Sequence, residues 1–183
     1  MKTKPDSVEE INHSEFTRLY DPIHENLTRF CRALSGNTED AKDLMHDVVL
    51  HTLENFNKIK DKSAFKSYVF SVASNLNKKR FGRKKFKGEL NEGEFNYLID
   101  TSQNQEYSTD FKIIYELILS LPTKMSETII LFHISDLPLE EIQKIQGGSL
   151  SGVKQRLKRG REKLIAQLKT PKQVKAAILF LSL

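Results

Sequence analysis

Ser149-Leu-Ser-Gly-Val-Lys-Gln-Arg-Leu-Lys-Arg-Gly-Arg-Glu-Lys-Leu164 decides the fold, because it combines helical periodicity with a high density of basic side chains. The apolar residues at helical spacing, which predict a buried stripe, are Val153, Leu157, Leu164 and Leu168. The basic residues around the rest of the helix are Lys154, Arg156, Lys158, Arg159, Arg161 and Lys163. Such a helix suits contact with phosphates, although a basic helix can equally be an ordinary solvated face.

The segment before this helix predicts a helix-turn-helix. Leu139-Glu-Glu-Ile-Gln-Lys-Ile145 forms a short amphipathic helix with two inward isoleucines, and Gln146-Gly-Gly148 supplies a tight turn. This connection lets the start of the second helix enter a groove of duplex DNA. There Ser, Gln and Lys can read the edges of DNA bases, and the Arg and Lys side chains further along the helix can hold phosphates. The predicted duplex-binding residues are Ser149, Ser151, Lys154, Gln155, Arg156, Lys158 and Arg159.

Composition and charge favour an intracellular protein with a polyanionic partner. The 183 residues carry 29 Lys and Arg against 24 Asp and Glu, a net charge of +5. The single cysteine, Cys31, excludes an internal disulfide and a cysteine-based zinc site, and its neighbours Leu27 and Phe30 predict that it is buried. The polar N-terminus lacks an apolar signal core, and no apolar run reaches the roughly 20 residues of a membrane span. We therefore expect a cytoplasmic protein.

Three amphipathic helices are predicted in the first half of the chain. The first spans Ser14 to Leu34, the second spans about Glu39 to Phe56 after a cap at Asn37 or Thr38, and the third begins after a cap at Ser63. The inward residues predicted for the first helix are Phe16, Tyr20, Ile23, Leu27, Phe30 and Leu34. Those of the second are Ala41, Leu44 or Met45, Val48, Val49, Leu53 and Phe56, and those of the third are Phe65, Val69, Val72, Ala73 and Leu76.

The third helix mixes aromatic residues with a basic run. The aromatic residues are Tyr68, Phe70, Phe81 and Phe86, and the basic residues are Lys78, Lys79, Arg80, Arg83, Lys84, Lys85 and Lys87. This mixture suits stacking of unpaired bases beside a phosphate track. The alternative is that the aromatic side chains lie in the core and the basic side chains lie in solvent. This segment by itself does not distinguish the two.

An acidic segment divides the chain. Residues 88–110 are rich in Asp, Glu, Ser, Gln and Asn and show little apolar periodicity, which predicts a flexible linker. The expected fold is therefore all-α, with one small helical domain at 1–87, a helix-turn-helix domain at 111–170 and a tail at 171–183. We expect the tail to pack on the second domain; the alternative is a docking surface for a regulator.

Taken together, the order and spacing of these motifs resemble the extracytoplasmic-function (ECF) group of bacterial sigma factors. In the first domain, Asp40–Val48 is similar to the family's Ala-Glu-Asp-Leu-Val-Gln-Glu-Val segment, and Ser63–Asn75 to its Phe-x-x-Trp-Leu-x-x-Ile-Ala-x-Asn segment. In the second, Leu121-Pro122, Asp136–Ile142 and Val153–Arg161 align with its Leu-Pro, Asp-Gly-Leu-Ser-x-x-Glu-Ile and Val-x-x-Arg-Leu-x-Arg-Ala-Arg segments.

This resemblance implies a promoter-specificity subunit whose partners are core RNA polymerase and promoter DNA. Residues 1–87 would bind polymerase and open the minus-ten element, and 111–170 would read the minus-thirty-five element as duplex. The acidic linker would thread a positively charged polymerase channel; the alternative is a merely disordered, soluble connection. The implied polymerase contacts are Asp43, Leu44, His46 and Asp47. The implied minus-ten contacts are Lys62, Ser63, Phe65, Lys66, Tyr68, Asn75, Lys78, Lys79 and Arg80. An anti-sigma factor is a candidate regulator, and no cofactor, metal or small-molecule substrate is expected.

The chain also departs from the family pattern. Tyr68 stands where Trp is usual, Pro138 where Ser is common, and His46 and Asp47 replace Gln and Glu. The segment 148–152 departs most, and its last glycine lies near the start of the proposed recognition helix, where glycine costs about 1 kcal/mol relative to Ala. The bases that this helix reads are therefore not carried over from the family.

Two other classes of function fit the sequence less well. An enzyme is disfavoured because the five histidines lie apart, without an HExxH arrangement or a glycine-rich phosphate loop. A stand-alone helix-turn-helix regulator would share the second domain, but it leaves the Asp43–Asp47 and Phe65–Asn75 segments unexplained.

Overall fold

Every secondary-structure element that the structure describes is helical. This computed structural model describes residues 8–87 and 105–182, with side chains at 14–80 and 111–181. The helices are α1 (Val8–Ser35), α2 (Thr38–Glu54), α3 (Phe65–Lys87), α4 (Gln105–Ser120), α5 (Thr123–Ile129), α6 (Leu139–Gln146), α7 (Leu150–Gln167) and α8 (Pro171–Ser182). Two 3-10 turns, Phe56–Lys58 and Lys62–Ala64, precede α3, and a π-helical stretch, Ile130–Ile134, follows α5. The predicted all-α fold is confirmed.

The first module, α1 to α3, forms around the apolar side of α1. Phe16, Ile23, Leu27 and Phe30 are buried, as their spacing predicts, and α2 and α3 pack across them. Cys31 is also buried, and burial raises the pKa of its thiol to about 12.

Helix α2 differs from its prediction at its C-terminal end. Asn37 caps the helix by accepting a hydrogen bond from the backbone N–H of Asp40 at 2.8 Å. The predicted inward position of Leu53 is wrong, since this side chain is 43 % exposed and Thr52 is buried instead. The Thr52 hydroxyl donates to the carbonyl of Val48 at 2.7 Å, which satisfies its polar group without water. A threonine with this bond can occupy an apolar position, which periodicity alone does not reveal.

Helix α3 begins differently from the prediction. No cap at Ser63 starts it directly; instead Asp61 caps the 3-10 turn Lys62–Ala64 that leads into α3, and its carboxylate accepts from the Ser63 backbone N–H at 2.9 Å. The structure buries Phe70 completely, so this ring belongs to the core and cannot stack on a base. The side chains of Phe81 and Phe86 lie outside the described residues.

The second module, α4 to α8, begins earlier than predicted. Residues 105–110, the end of the predicted acidic linker, form the first turns of α4, and the rest of that linker, 88–104, lies outside the described residues. The predicted breaks at Pro122 and Pro138 separate α4 from α5 and precede α6. At the C-terminus α8 packs on α4 and α7 and buries Ala176 and Ala177, the arrangement expected for the tail.

The two modules pack against each other through one continuous apolar core among the described residues. Helices α1 and α3 of the first module lie against the π-helical stretch and α6 of the second. Polar contacts cross the same boundary: Asn26 Nδ2 donates to the Ser135 carbonyl at 2.7 Å, and the Tyr115 hydroxyl donates to the Ala33 carbonyl. The sequence predicts two domains, but their mutual packing depends on residues far apart in the chain.

Candidate nucleic-acid interface

The helix-turn-helix is built on two glycines with left-handed backbone. Gly147 and Gly148 have φ of 71° and 88°, a region that residues with a Cβ rarely adopt. The Gly147 N–H donates to the Gln143 carbonyl at 2.8 Å, which ends α6. Ser149 then caps α7, since its hydroxyl oxygen accepts from the Gly152 N–H at 3.1 Å. The Ser149 hydroxyl, which is predicted to read a DNA base, therefore also stabilises the first turn of α7.

The inner side of α7 anchors it to α5. Val153, Leu157 and Leu164 are buried as predicted, and Gly160 continues the same stripe. A Cβ at Gly160 would lie 3.0 Å from Ile129 Cδ1, so glycine lets α7 approach α5 closely. The spacing of Gly160 from Leu157 and Leu164 is the sequence signal that could have identified it.

The outer side of α7 presents most of the predicted duplex-binding residues to solvent. The exposed ones are Ser149, Ser151, Lys154, Gln155, Lys158 and Arg159. Ser151, Lys154, Gln155 and Lys158 follow a spacing of three and four residues and therefore share one side of the helix. A hydroxyl, an amide and two ammonium groups thus line a single convex surface.

Arg156 lies differently from the other predicted duplex-binding residues. It is half-buried, and its guanidinium donates to the side-chain carbonyl of Gln146, which also accepts from the Thr128 hydroxyl at 2.9 Å. The Gln146 amide in turn donates to the Lys124 carbonyl at 3.3 Å. Arg156 therefore joins α7 to α5 and to the end of α6.

Arg161 is a second partly buried arginine of α7, and it contacts a histidine of the π-helical stretch. His133 Nε2 accepts from Arg161 Nε at 3.1 Å, and Arg161 Nη2 lies 2.9 Å from the same nitrogen. The guanidinium also lies 5.5 Å from the Phe132 ring centroid, and the Phe180 ring lies 5.5 Å from the imidazole. Burial, followed by the nearby positive charge of Arg161, lowers the pKa of His133 to about 4. His133 is therefore a neutral acceptor near pH 7, within the packing of the second module.

The predicted minus-ten residues are divided between surface and core. Ser63, Asn75, Lys78 and Lys79 are exposed, while Lys62, Lys66, Tyr68 and Arg80 are partly buried. Phe65 contradicts its prediction: it is only 2 % exposed and packs edge-on against Phe16 and Phe56, so it cannot contact a DNA base. A motif match marks a position in the chain and does not separate surface residues from core residues.

Two basic residues predicted to contact the minus-ten strand, Lys62 and Arg80, have partners within the first module. Lys62 Nζ donates to the Phe56 carbonyl at 3.0 Å and lies 3.4 Å from the centroid of the Phe56 ring, which braces the turn before α3. Arg80 Nη2 lies 2.6 Å from Asp47 Oδ2, and Arg80 Nη1 donates to the Asp40 carbonyl at 3.3 Å. These bonds connect the predicted DNA surface of α3 to α2.

The outer face of α2 carries three of the four predicted polymerase contacts. Asp43, His46 and Asp47 are exposed, but Leu44 is fully buried and cannot touch a partner in this arrangement. Leu50, which no motif singles out, is 57 % exposed and follows Asp43, His46 and Asp47 at helical spacing. A single exposed leucine is ordinary on a protein surface, so Leu50 is a candidate contact only because it shares a face with the predicted polymerase contacts.

Within residues 8–87 and 105–182, no helix is both long and apolar enough to cross a membrane. The same part of the chain holds no group of three or more His, Cys, Asp or Glu side chains that could bind a metal ion.

Comparison with known proteins matches both modules. The family model for Sigma-70 region 2 matches residues 19–86, and the model for Sigma-70, region 4 matches residues 111–164. "ECF RNA polymerase sigma factor EcfG" of Rhodopseudomonas palustris (strain TIE-1) is 26% identical over 143 residues, covering 78% of this chain and 79% of the relative. "ECF RNA polymerase sigma factor SigW" of Bacillus subtilis (strain 168) is 25% identical over 181 residues, covering 92% and 97%.

A solved structure has the same fold. The sigma factor RpoE, crystallised with the anti-sigma factor NepR from Bartonella quintana, superposes with a TM-score of 0.63 at 21% identity, covering 86% of this chain and 98% of that one. The two matched regions lie in the order that the motifs predict, one on each module. The chain belongs to the sigma-70 family and, within it, to the extracytoplasmic-function group of sigma factors.

Proposed function

We propose that this sigma factor contacts polymerase and promoter DNA through three separate surfaces. The outer face of α2 meets core RNA polymerase, the exposed side of α3 meets the opened minus-ten strand, and the exposed side of α7 reads the minus-thirty-five duplex. The observation that carries the proposal is that both sigma-70 regions are matched and that each presents an exposed polar helix face.

The α7 surface suits duplex readout. Gln155 offers an amide that can bond two groups of one adenine, and Ser151 can bond a base edge or a phosphate. Lys154 and Lys158, on the same side, supply charge for the backbone. We leave Arg156 out of this group, because it is half-buried and its Nη1 donates to Gln146.

The α3 surface suits an unpaired strand. Asn75 is exposed, and an amide can pair with the edge of a base that has left the stack. Lys79 is exposed on the next turn for a phosphate, and the half-buried ring of Tyr68 can stack on a base. Phe65 supports this surface only by holding the start of α3 on the core.

The α2 surface suits a basic protein partner. Asp43 and Asp47 supply negative charge that favours encounter with cationic side chains, and Leu50 supplies apolar area at the same face. His46 lies between them and adds a polar group at the rim.

A stand-alone regulator does not account for the region 2 match at 19–86, and a factor that works by binding needs no chemical reaction of its own. The proposed site of action is the cytoplasm, where bacterial polymerase and promoters are found. An anti-sigma factor is the proposed regulator, an inference supported by the RpoE–NepR complex.

The test is run-off transcription with core polymerase on a library of genomic fragments. Promoter-dependent transcripts are expected only when the sigma factor is present. Gln155→Ala should change which promoters are used, and Lys175→Ala, an exposed lysine on α8, serves as the matched surface control. Failure to co-purify with core polymerase, together with tight binding to duplex promoters alone, would refute the proposal in favour of a stand-alone regulator.

A further inference from the structure

A buried carboxylate of the second module is bonded to the helix proposed to bind the minus-ten strand. Glu127 of α5 is only 5 % exposed. Its Oε1 accepts from the Ser74 hydroxyl at 2.6 Å and lies 3.2 Å from Lys78 Nζ, and Lys78 Nζ also lies 3.0 Å from the Ser74 oxygen. Ser74 and Lys78 both belong to α3, so the carboxylate obtains these two partners from the other module.

The burial of this carboxylate depends on the closed arrangement of the two modules. An ionised carboxylate removed from water is destabilising unless it is paired and hydrogen-bonded. With the modules apart, Glu127, Ser74 and Lys78 would each return to water. The closed arrangement therefore depends on these partners, because removing one of them would leave a buried charge uncompensated when the modules pack together.

The network occupies one side of α3. Ser71, Ser74 and Lys78 follow helical spacing, and the Ser71 hydroxyl also contacts the Ile145 carbonyl of α6 at 3.2 Å. The second module thus covers this side of α3 directly beside Asn75, which stays exposed. A DNA strand following Asn75 toward Lys78 would meet the Glu127 carboxylate.

We propose that Glu127 acts as an intramolecular competitor of DNA for α3. Its carboxylate occupies the place beside Lys78 that a backbone phosphate would take, so closure of the modules and full binding of a single strand exclude each other. The inference rests on the proposed function of α3, and it adds that this free sigma factor is held closed by a contact that the DNA must replace.

Energy transfer between fluorophores tests closure in the full-length chain. Labels at Glu54→Cys on α2 and Lys163→Cys on α7 report the distance between modules; both positions are exposed, and native Cys31 is buried with a raised thiol pKa that protects it from labelling. Glu127→Lys should lower transfer, and so should Lys78→Glu. The double exchange restores opposite charges and should recover it.

A matched variant separates this contact from a general effect of charge. Glu141→Lys makes the same change in α6, where Glu141 pairs with Lys144 of the same helix at 3.0 Å, and it should leave transfer unchanged. The proposal is overturned if Glu127→Lys leaves energy transfer unchanged. It is also overturned if the double exchange loses as much energy transfer as each single variant.

Binding of a labelled single-stranded oligonucleotide, followed by fluorescence anisotropy, tests the competition. Glu127→Gln keeps the side-chain volume and removes the charge, and it should tighten strand binding about fivefold or more, while Glu141→Gln should not. If Glu127→Gln separates the modules but the strand binds with unchanged affinity, Glu127 does not compete with DNA, while the proposed binding of the strand by α3 is retained. If the modules open and no variant binds the strand, the α3 surface itself is refuted and the competition with it.

Discussion

Arg80 Nη2 lies 2.6 Å from Asp47 Oδ2, so an arginine predicted to contact DNA and a carboxylate predicted to contact polymerase are bonded to each other. The pair spans α3 and α2 at the surface of the first module, with the carboxylate about half exposed. The two proposed contact surfaces of this module therefore adjoin, and a change at one side of the pair alters the charge available at the other.

We predict that Asp47→Ala has opposite effects on the two partners. It removes a carboxylate from the polymerase surface and frees the Arg80 guanidinium, so polymerase capture should weaken while single-strand binding is kept or increased. The cost in folding stability should be below about 1 kcal/mol, since the pair is partly exposed. Pull-down with core polymerase and anisotropy with a strand measure the two effects. Asp43→Ala is the control: it should weaken polymerase capture only.

A second prediction separates Lys158 from Arg156. Lys158 is exposed, so Lys158→Ala should weaken duplex binding uniformly and reduce the slope of log K against log salt by about 0.9 if it contacts one phosphate. Arg156→Ala should instead lower the melting temperature, because Gln146 loses its bond to α7. Titrations at several salt concentrations and thermal melts distinguish them. An unchanged slope in Lys158→Ala would contradict the phosphate contact.

Gly160 provides a test of the packing of α7. Gly160→Leu inserts a side chain where even a Cβ lies 3.0 Å from Ile129 Cδ1, and overpacking of this kind costs about 1–3 kcal/mol. Denaturant unfolding measures the loss. Ala166→Leu adds a large apolar side chain at an exposed position of the same helix and should leave stability nearly unchanged. Equal stability of Gly160→Leu and the parent would mean that α7 and α5 are farther apart than described.

His133 predicts an acid-dependent loss of stability. Its pKa of about 4 in the folded chain lies below the roughly 6.5 of an unfolded histidine, so the unfolded state binds the extra proton first as pH falls. Its contribution is fully present above pH 6.5 and is lost as pH falls to about 4. The difference in unfolding free energy between the parent and His133→Gln should therefore shrink across this window. A difference that stays constant across this window would refute the assignment of His133 as a neutral acceptor.

The tail offers a fifth test. Deleting residues 171–183 exposes the surfaces of α4 and α7 that Ala176 and Ala177 cover, and it removes the Phe180 ring from His133. Thermal melts should show a lower midpoint, while polymerase capture through α2 should persist. An unchanged midpoint together with loss of regulator binding would favour the docking alternative for the tail.

Local sequence signals predicted the helices and the turn of the second module well. The Gly147-Gly148 pair predicts the turn before α7 because left-handed backbone favours glycine, and apolar spacing predicts that Val153, Leu157 and Leu164 face inward. The errors have equally local causes. Thr52 was missed because a hydroxyl bonded to its own helix can be buried, and Phe65 and Leu44 were assigned to contact surfaces because a motif match does not measure exposure.

The sequence by itself determined that this chain is an all-α sigma factor with a basic recognition helix, because periodicity, capping and motif order are properties of neighbouring residues. Only the tertiary structure decided which charges remain available. Arg156, Arg161 and Lys78 are all basic residues in the sequence, yet they are bonded to Gln146, His133 and Glu127. Each partner lies at least 10 positions away in the chain, and such pairings are set by the packing of whole helices, not by local spacing.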